Sequence, residues 1–572
     1  MTKHHKRSTQ APSPNPEQVA AIRRLIDSGN DTEAKRRLEA MRKSFPAFKP
    51  LYALAWEVED VLGSPSLATA RALEWQRASP NSRAALEAVC QSARSAGLNM
   101  LYARALNRLR VLDGEAEVVI PPYLDNPLGA ILPEQAEAVD LSRMHMDDGK
   151  PAAAIAVLQG VDHPSARNNL ARALFADGQV PPALAVAEAN WQASPHNLFA
   201  LDCVVRWRCW LRGMDACLGL KAPLLHTVPL RMEDAAAQMQ ALRFLGDEEA
   251  VATVSNRTKQ ADFWNRAPLA VRSEFNQLCS AEAGWAGDTV ALFPLRWLNA
   301  HHNLLKQRAN FSEQEFVHRG VAIDAACDAH PDYLVRAMQM GNELSTIVAA
   351  TVLIRRAKNA DAAALGALTG MLASGDGSDS ARKSVLRWMT EEGLAGQDVP
   401  VDIWLNGGLQ TVRSHGMEIS GEPLPSPFPP DGEELYDRML AAMRRKDWSH
   451  ALDIGMQLHR MYPHVPSPLS NMAAVKEAQG QPLAEIMALY RQAHALNPDY
   501  LFARCGLARC LAAEGKVDEA REMLVSLIQR KKFHVSEART FLRTQRAMAE
   551  AAGDGETARN LDQAIARLEA DD

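Results

Sequence analysis

Residues 502–528 read FARCGLARCLAAEGKVDEAREMLVSLI. Apolar residues recur at steps of three and four on both sides of Gly515, the spacing of two amphipathic helices joined by a tight turn. Glycine suits such a turn because a positive φ costs little without a Cβ. Ala520, just after the turn, is small where two helices must cross, and Leu524 carries on the apolar face. A single pair of this kind cannot bury its own stripe. A neighbour of the same build has to cover it.

The same markers recur at a fixed step elsewhere. Gly29, Gly63 and Gly97 lie 34 residues apart, and Ala34 with Ala68 and Pro46 with Pro80 keep that interval. In the first unit Ile22, Ile26, Leu38 and Met41 mark the apolar faces. The proline stops the second helix and presets the first turn of the next one. A 34-residue helix-turn-helix with small-residue, Gly and Pro markers in this order resembles the tetratricopeptide repeat (TPR) family. That resemblance implies an all-α fold, an α-solenoid in which TPR-like pairs stack into a right-handed superhelix.

On these markers the chain divides as follows. Residues 1–14 form a disordered basic, Pro-rich tail, and 15–116 a first block of three repeats, the third degenerate at Gly114. Residues 117–133 hold four prolines and no helical period, so they read as a loop whose Tyr123 and Ile131 cap the preceding core. A second TPR-like block spans 134–259, with Gly178, Ala183 and Pro195 marking its best repeat. Residues 260–420 are helical by composition without the period, and Trp264, Trp285, Trp297, Trp388 and Trp404 read as core fillers. A stiff Pro-rich linker at 421–431 precedes a C-terminal block at 432–572, whose first repeat has Lys446-Asp447 where the turn glycine would fall. The last helix is polar outside, as a solenoid cap should be.

Composition agrees. The 572 residues are 47% hydrophobic and only 6% aromatic, and alanine supplies about 16% of them, which favours helix. Strand-like runs are almost lacking. A net charge of -6 weakens a nucleic-acid role that rests on bulk charge. The longest apolar run, Ile347 to Ile354, is eight residues and ends at Arg355-Arg356, too short to span a bilayer. The N-terminus has no apolar signal core, so a cytoplasmic location is expected. Eight dispersed cysteines without a CxxC pair read as buried thiols. No phosphate-cradling loop, dinucleotide fingerprint, HExxH or GxSxG is found, and no cofactor or metal is expected. His301, His302 and His318 with Asp324 or Asp328 lack the spacing of a metal site.

By resemblance to the family, positions 2, 5, 9, 12 and 13 of each repeat face the concave groove. These are Arg23 and Asp27, Glu57 and Asp60, then Glu87, Gln91 and Arg94 in the first block. Asn168, Arg172 and Phe175 follow in the second, and Tyr436, Arg444, Asn471, Gln479, Phe502 and Arg509 in the third. Asn and Arg suit peptide-backbone and carboxylate recognition. The lysine and asparagine clamp by which some members hold chaperone tails is absent, since its positions hold Tyr436, Leu440, Met472, Phe502 and Gly506. Tyr436 and Phe502 point either to an apolar groove or to packing inside the stack. The function expected is a non-enzymatic scaffold or adaptor that binds one or more proteins through a peptide or helix segment, with homo-oligomers open. The alternative is a nucleic-acid-associated subunit using Lys3, Lys6 and Arg7, Arg355-Arg356 and Arg530-Lys531-Lys532.

Overall fold

The computed structural model describes residues 13–124, 126–279, 292–307, 310–396, 399–413, 418–422, 424–528 and 530–570. Most of the tail, with Lys3, Lys6 and Arg7, and Trp285 lie outside the described residues. The chain divides into two units, Met1–Leu394 with Asp402–Gln410, and Ala395–Val401 with Thr411–Asp572.

The first unit opens with three helix pairs: Pro16–Asp27 and Asp31–Ser44, Pro50–Val61 and Pro65–Ala78, Arg83–Ser95 and Asn99–Leu112. Between the helices of each pair Gly29, Gly63 and Gly97 take the left-handed conformation, with φ of 72°, 69° and 65°. Ala34 and Ala68 are 0% exposed where the helices cross, so any larger side chain would push the pair apart. Proline opens several of these helices, at the position where a missing N–H costs nothing.

Among the described residues, 117–132 form no helix. Tyr123 and Ile131 pair as an antiparallel bridge, at 3.0 and 3.1 Å. Ile131 is buried against Met100 and Ala136, as a cap of the preceding core should be. Tyr123 stays partly exposed. The Asn107 amide grips this segment by accepting from the Val118 N–H and donating to its carbonyl, at 2.9 and 2.8 Å.

The second run of pairs is Pro133–Asp147 with Pro151–Leu158 and Pro164–Ala176 with Val180–Ala193, followed by the helix Leu198–Arg212. After Gly213 the rhythm changes, through a short 3-10 turn at Asp215–Leu220, before the pair Met232–Phe244 and Glu248–Lys259. Beyond these the pairs return, as Pro331–Met340 with Glu343–Lys358 and Ala362–Ala373 with Asp379–Glu391.

Two expectations are corrected here. Of the tryptophans expected to fill the core of 260–420, only Trp297 is buried among the described residues; Trp264, Trp388 and Trp404 are half-exposed. The large core aromatics are Trp207 and Trp210, each 1% exposed on Leu198–Arg212. Strands also occur. Pro400–Leu405 and Gly408–Arg413 form a hairpin, turning at Asn406-Gly407 with φ of 52° and 77°. That dipeptide matches the positive φ a tight hairpin turn needs.

The second unit carries four pairs: Pro430–Arg444 and Trp448–Met461, Ser467–Ala478 and Leu483–Leu496, Leu501–Ala513 and Val517–Ile528, Val535–Ala551 and Gly555–Ala570. A short strand, Glu418–Ser420, runs parallel to Lys532–His534. The first helix starts at Pro430, and Phe428 is buried with its ring 5.0 Å from Tyr436 and 5.4 Å from Tyr462. The end of the expected linker is therefore part of the core. The solenoid reading holds for both units, and no helix among the described residues is long and apolar enough to cross a membrane.

Lys446 occupies the turn where other pairs have glycine, and it takes φ of 60°. A left-handed L-residue costs about 1–2 kcal/mol, and glycine's extra unfolded-state entropy gives back roughly 0.5–1 kcal/mol. Relief of strain wins. Lys446→Gly should stabilise the second unit by about 0.5–1 kcal/mol, read as a higher midpoint of that unit's thermal transition. A lower midpoint would contradict the strain.

Candidate partner-binding grooves

In the first unit a cavity of about 1400 Å³ is walled by the first helices of successive pairs, Pro133–Asp147, Pro164–Ala176, Leu198–Arg212 and Met232–Phe244. Asn168, Arg172 and Phe175 all line it, at the positions the repeat register gives. Their chemistry differs. The Asn168 carbonyl accepts from the Asn190 and Asn197 amides at 2.8 and 3.1 Å, so it holds the wall together. Phe175 is buried, with its ring stacked 5.1 Å from Trp207 and edge-on to Trp210 at 5.6 Å. Arg172 is exposed, and its charge acts on the Asp202 carboxyl of the next repeat.

Three further lining residues escaped the sequence reading. Phe199, Asp202 and Arg206 lie 34 residues after Ser165, Asn168 and Arg172 and occupy the same positions one repeat on. Asp202 and Arg206 are both buried and paired through two hydrogen bonds, one of them Nε to Oδ1 at 3.2 Å. Burial pushes the Asp202 carboxyl up, against the pull of Arg206. Elsewhere in the cavity, Asp140 accepts from the Met100 and Leu101 N–H groups at 2.7 and 3.2 Å.

The second unit has a cavity of about 570 Å³ that includes Asn471, Phe502 and Arg509. Arg509 bonds Glu477 at 2.8 and 3.1 Å, the Thr544 hydroxyl at 3.1 Å and the Tyr490 hydroxyl at 3.3 Å. Burial opposes ionisation of Glu477, but the bonds from Arg509 and Tyr490 hold its carboxyl below the usual range. Arg543 and Arg546, also on the wall, are held by Glu569 and Asp562 at 2.7 and 2.6 Å.

Other expected groove residues lie elsewhere. Tyr436 is a packing residue. Its ring lies against Phe428, and its hydroxyl accepts from the Asn471 amide at 3.2 Å. Arg444 is exposed at the end of its helix and only reaches back to the Leu440 carbonyl at 3.4 Å. In the first block the register positions of neighbouring repeats meet each other, Arg23 with Glu57 at 3.3 Å and Gln91 with Asp60 at 3.1 Å. Arg94 is exposed, and none of these residues lines either cavity.

The basic pairs are engaged within the fold. Arg355 pairs with Asp324, and Arg356 donates to the Ala329 and Cys327 carbonyls at 2.6 and 2.5 Å. Arg530 binds Glu537 at 2.6 Å and stacks over Phe533, and Lys532 lies 3.4 Å from Glu418. His301 meets Asp324 at 2.7 Å, and burial together with the charge of Arg355 pushes it down to about 4. Among the described residues no three metal-capable side chains converge.

A tetratricopeptide repeat family model matches residues 478–544. No curated protein matches the chain. Among similar solved structures is a tetratricopeptide repeat protein from Parabacteroides merdae, 12% identical, with 46% of this chain and 97% of that one covered and a TM-score of 0.23. The TPR domain of P58(IPK) is 12% identical over 90% of this chain and 99% of that one, with a TM-score of 0.15. The human IFIT1 dimer with PPP-AAAA is 10% identical over 86% and 97%, with a TM-score of 0.25. At such scores the assignment rests on the matched repeats and on the helix pairs themselves. Turn residues at left-handed φ and buried crossing alanines recur along both units, and residues 478–544 match the tetratricopeptide repeat family directly.

Proposed function

We propose that the chain is a scaffold or adaptor that holds a segment of a partner protein in the groove of its first unit, without turnover. The observation that carries this reading is the 1400 Å³ cavity along four successive first helices, lined at the concave register positions. Its walls mix apolar and aromatic residues with charged and amide side chains of both signs, a mixture that protein recognition uses. The free cysteine thiols suit a reducing compartment, and we place the protein in the cytoplasm. The nucleic-acid reading is weaker, because Arg355, Arg356 and Arg530 are held by the protein's own acceptors rather than presented to phosphate.

The test is capture of partners from host lysate on the tagged full chain, with and without nuclease, read by mass spectrometry. Ala236 lines the cavity from the helix Met232–Phe244, so Ala236→Trp fills the groove sterically. One or two proteins that survive nuclease and are lost with Ala236→Trp are expected. Retention that collapses with nuclease, or that ignores Ala236→Trp, would remove the groove from the account.

A further inference from the structure

The corner that ends the helix Leu198–Arg212 brings two buried thiols together. Cys209 lies in the last turn of that helix and Cys217 in the 3-10 turn Asp215–Leu220, and the chain reverses between them at Gly213. The Cys217 thiol reaches back over the helix, 3.2 Å from the Val205 carbonyl and 3.7 Å from the Gly213 carbonyl. Val205 is one helical turn before Cys209, so both sulfurs sit on that turn, and the Cys209 thiol donates to Cys217. Cys203, Cys279 and Cys505 instead bond Arg206, Ser255 and Thr544.

The rest of the corner is held from outside. The His330 N–H donates to the Trp210 carbonyl at 2.8 Å, and the Trp210 indole N–H donates to Asp328 at 2.7 Å. Asp332 accepts from the Met214 N–H at 2.9 Å. With the backbone fixed in this way, bringing the sulfurs from hydrogen-bond contact to a bond of about 2 Å asks for side-chain rotation more than for refolding. Access comes from the 3-10 turn. Its hydrogen bonds are of the poorer kind, and Asp215, Leu218 and Gly219 are exposed, so it is the part of the corner that opens.

The two thiols are not equivalent. The bond from Cys209, with the charge of Arg208, holds the Cys217 thiol below the usual range, whereas that bond and burial push Cys209 up. The thiolate is the reactive form, so Cys217 is the attacking sulfur and Cys209 the resolving one.

We propose that Cys209 and Cys217 are a redox staple: a peroxide joins them in a reversible disulfide that ties the 3-10 turn to the last turn of Leu198–Arg212. The Cys217 thiolate attacks one peroxide oxygen, an S–O bond forms, the O–O bond breaks and hydroxide leaves. The Cys209 sulfur then attacks the resulting sulfenic acid, the S–S bond forms, and the S–O bond breaks with the oxygen leaving as water. Two thiols and one hydrogen peroxide thus give one disulfide and two waters, and a dithiol reductant restores the thiols.

Hydrogen peroxide on the purified full chain, followed by non-reducing proteolysis and mass spectrometry, tests this. The expected product joins the Cys209 and Cys217 peptides at the mass of two hydrogens below their sum, and dithiothreitol reverses it. Amide exchange along 213–220 should slow by about tenfold in the oxidised chain. Cys209→Ala should leave Cys217 as a sulfenic acid that dimedone traps, and Cys217→Ala should leave Cys209 reduced. The wild-type map decides even where these buried substitutions cost folding. A link to any other cysteine, or dimedone trapping of Cys209 in the Cys217→Ala chain, would overturn the proposal. So would unchanged exchange along 213–220, or two thiols that stay reduced under peroxide that oxidises them in the urea-unfolded chain.

Discussion

Asp202→Ala should destabilise the first unit by about 3–5 kcal/mol, the usual cost of removing one partner of a buried ion pair. Both members are buried on the groove floor, and Arg206 cannot shed its charge at any ordinary pH. Arg206→Ala should cost less. It leaves a carboxyl that can take up a proton, and burial already pushes Asp202 in that direction. In that variant the folded-state pKa of Asp202 lies above its unfolded value. Its favourable contribution is then present at low pH and lost as pH rises through the folded value. Arg206→Ala should thus fall further below wild type at pH 8 than at pH 5, whereas the deficit of Asp202→Ala should change little. The double variant Asp202→Leu with Arg206→Met removes both charges and should recover most of the loss. Two units preclude a single unfolding constant, so the readout is the first unit's calorimetric transition or amide exchange along 198–212. Equal costs for the two single variants at every pH would show that water reaches the pair and that the floor is not as dry as its burial implies.

The repeat was legible because its markers answer to backbone geometry. Gly29, Gly63 and Gly97 hold one φ and Ala34 and Ala68 one crossing distance, so they recur wherever a pair recurs. The groove was half-legible. Asn168, Arg172 and Phe175 came from the register, and one more step of 34 residues reaches Phe199, Asp202 and Arg206. That step was obscured because the next turn glycine is Gly213, which lies 35 residues after Gly178 and slips the period by one. Trp207 and Trp210 were hidden by the same slip. Tyr436 failed for a different reason. A concave register position says which way a side chain starts, but not that Phe428 from the Pro-rich segment will cover it. The hairpin at 400–413 had a local signal in Asn406-Gly407, which the helical composition around it outweighed. The ion pairs between neighbouring repeats, such as Arg23 with Glu57, required knowing that equal positions in adjacent repeats lie side by side.

In the second unit Gly506→Val should lower stability by about 3 kcal/mol, the upper end of ordinary overpacking. A Cβ at position 506 would lie 2.3 Å from Tyr490 ring atoms, closer than any side chain tolerates. The ring cannot simply retreat. Tyr490 is 2% exposed, and its hydroxyl donates to Glu477 at 3.0 Å beside Arg509. Displacing it breaks that bond and shifts the Glu477–Arg509 pair, which lines the smaller cavity. Gly506→Ala should show the same effect in smaller measure, and Tyr490→Leu in the same chain should make the pair less harmful than the sum of its parts. Gly455 supplies the contrast. A Cβ there would meet Met472 and Met439 side chains at 2.6 and 2.9 Å, and unbranched thioethers can swing aside. Gly455→Ala should consequently cost less than Gly506→Ala, though both glycines lie within helices where alanine is the better former. If the two substitutions cost the same, helix propensity would be the deciding term and not the Tyr490 ring. If Gly506→Ala stabilised the unit, Tyr490 would have room the packing does not give it, and the Glu477–Arg509 wall would be free to move.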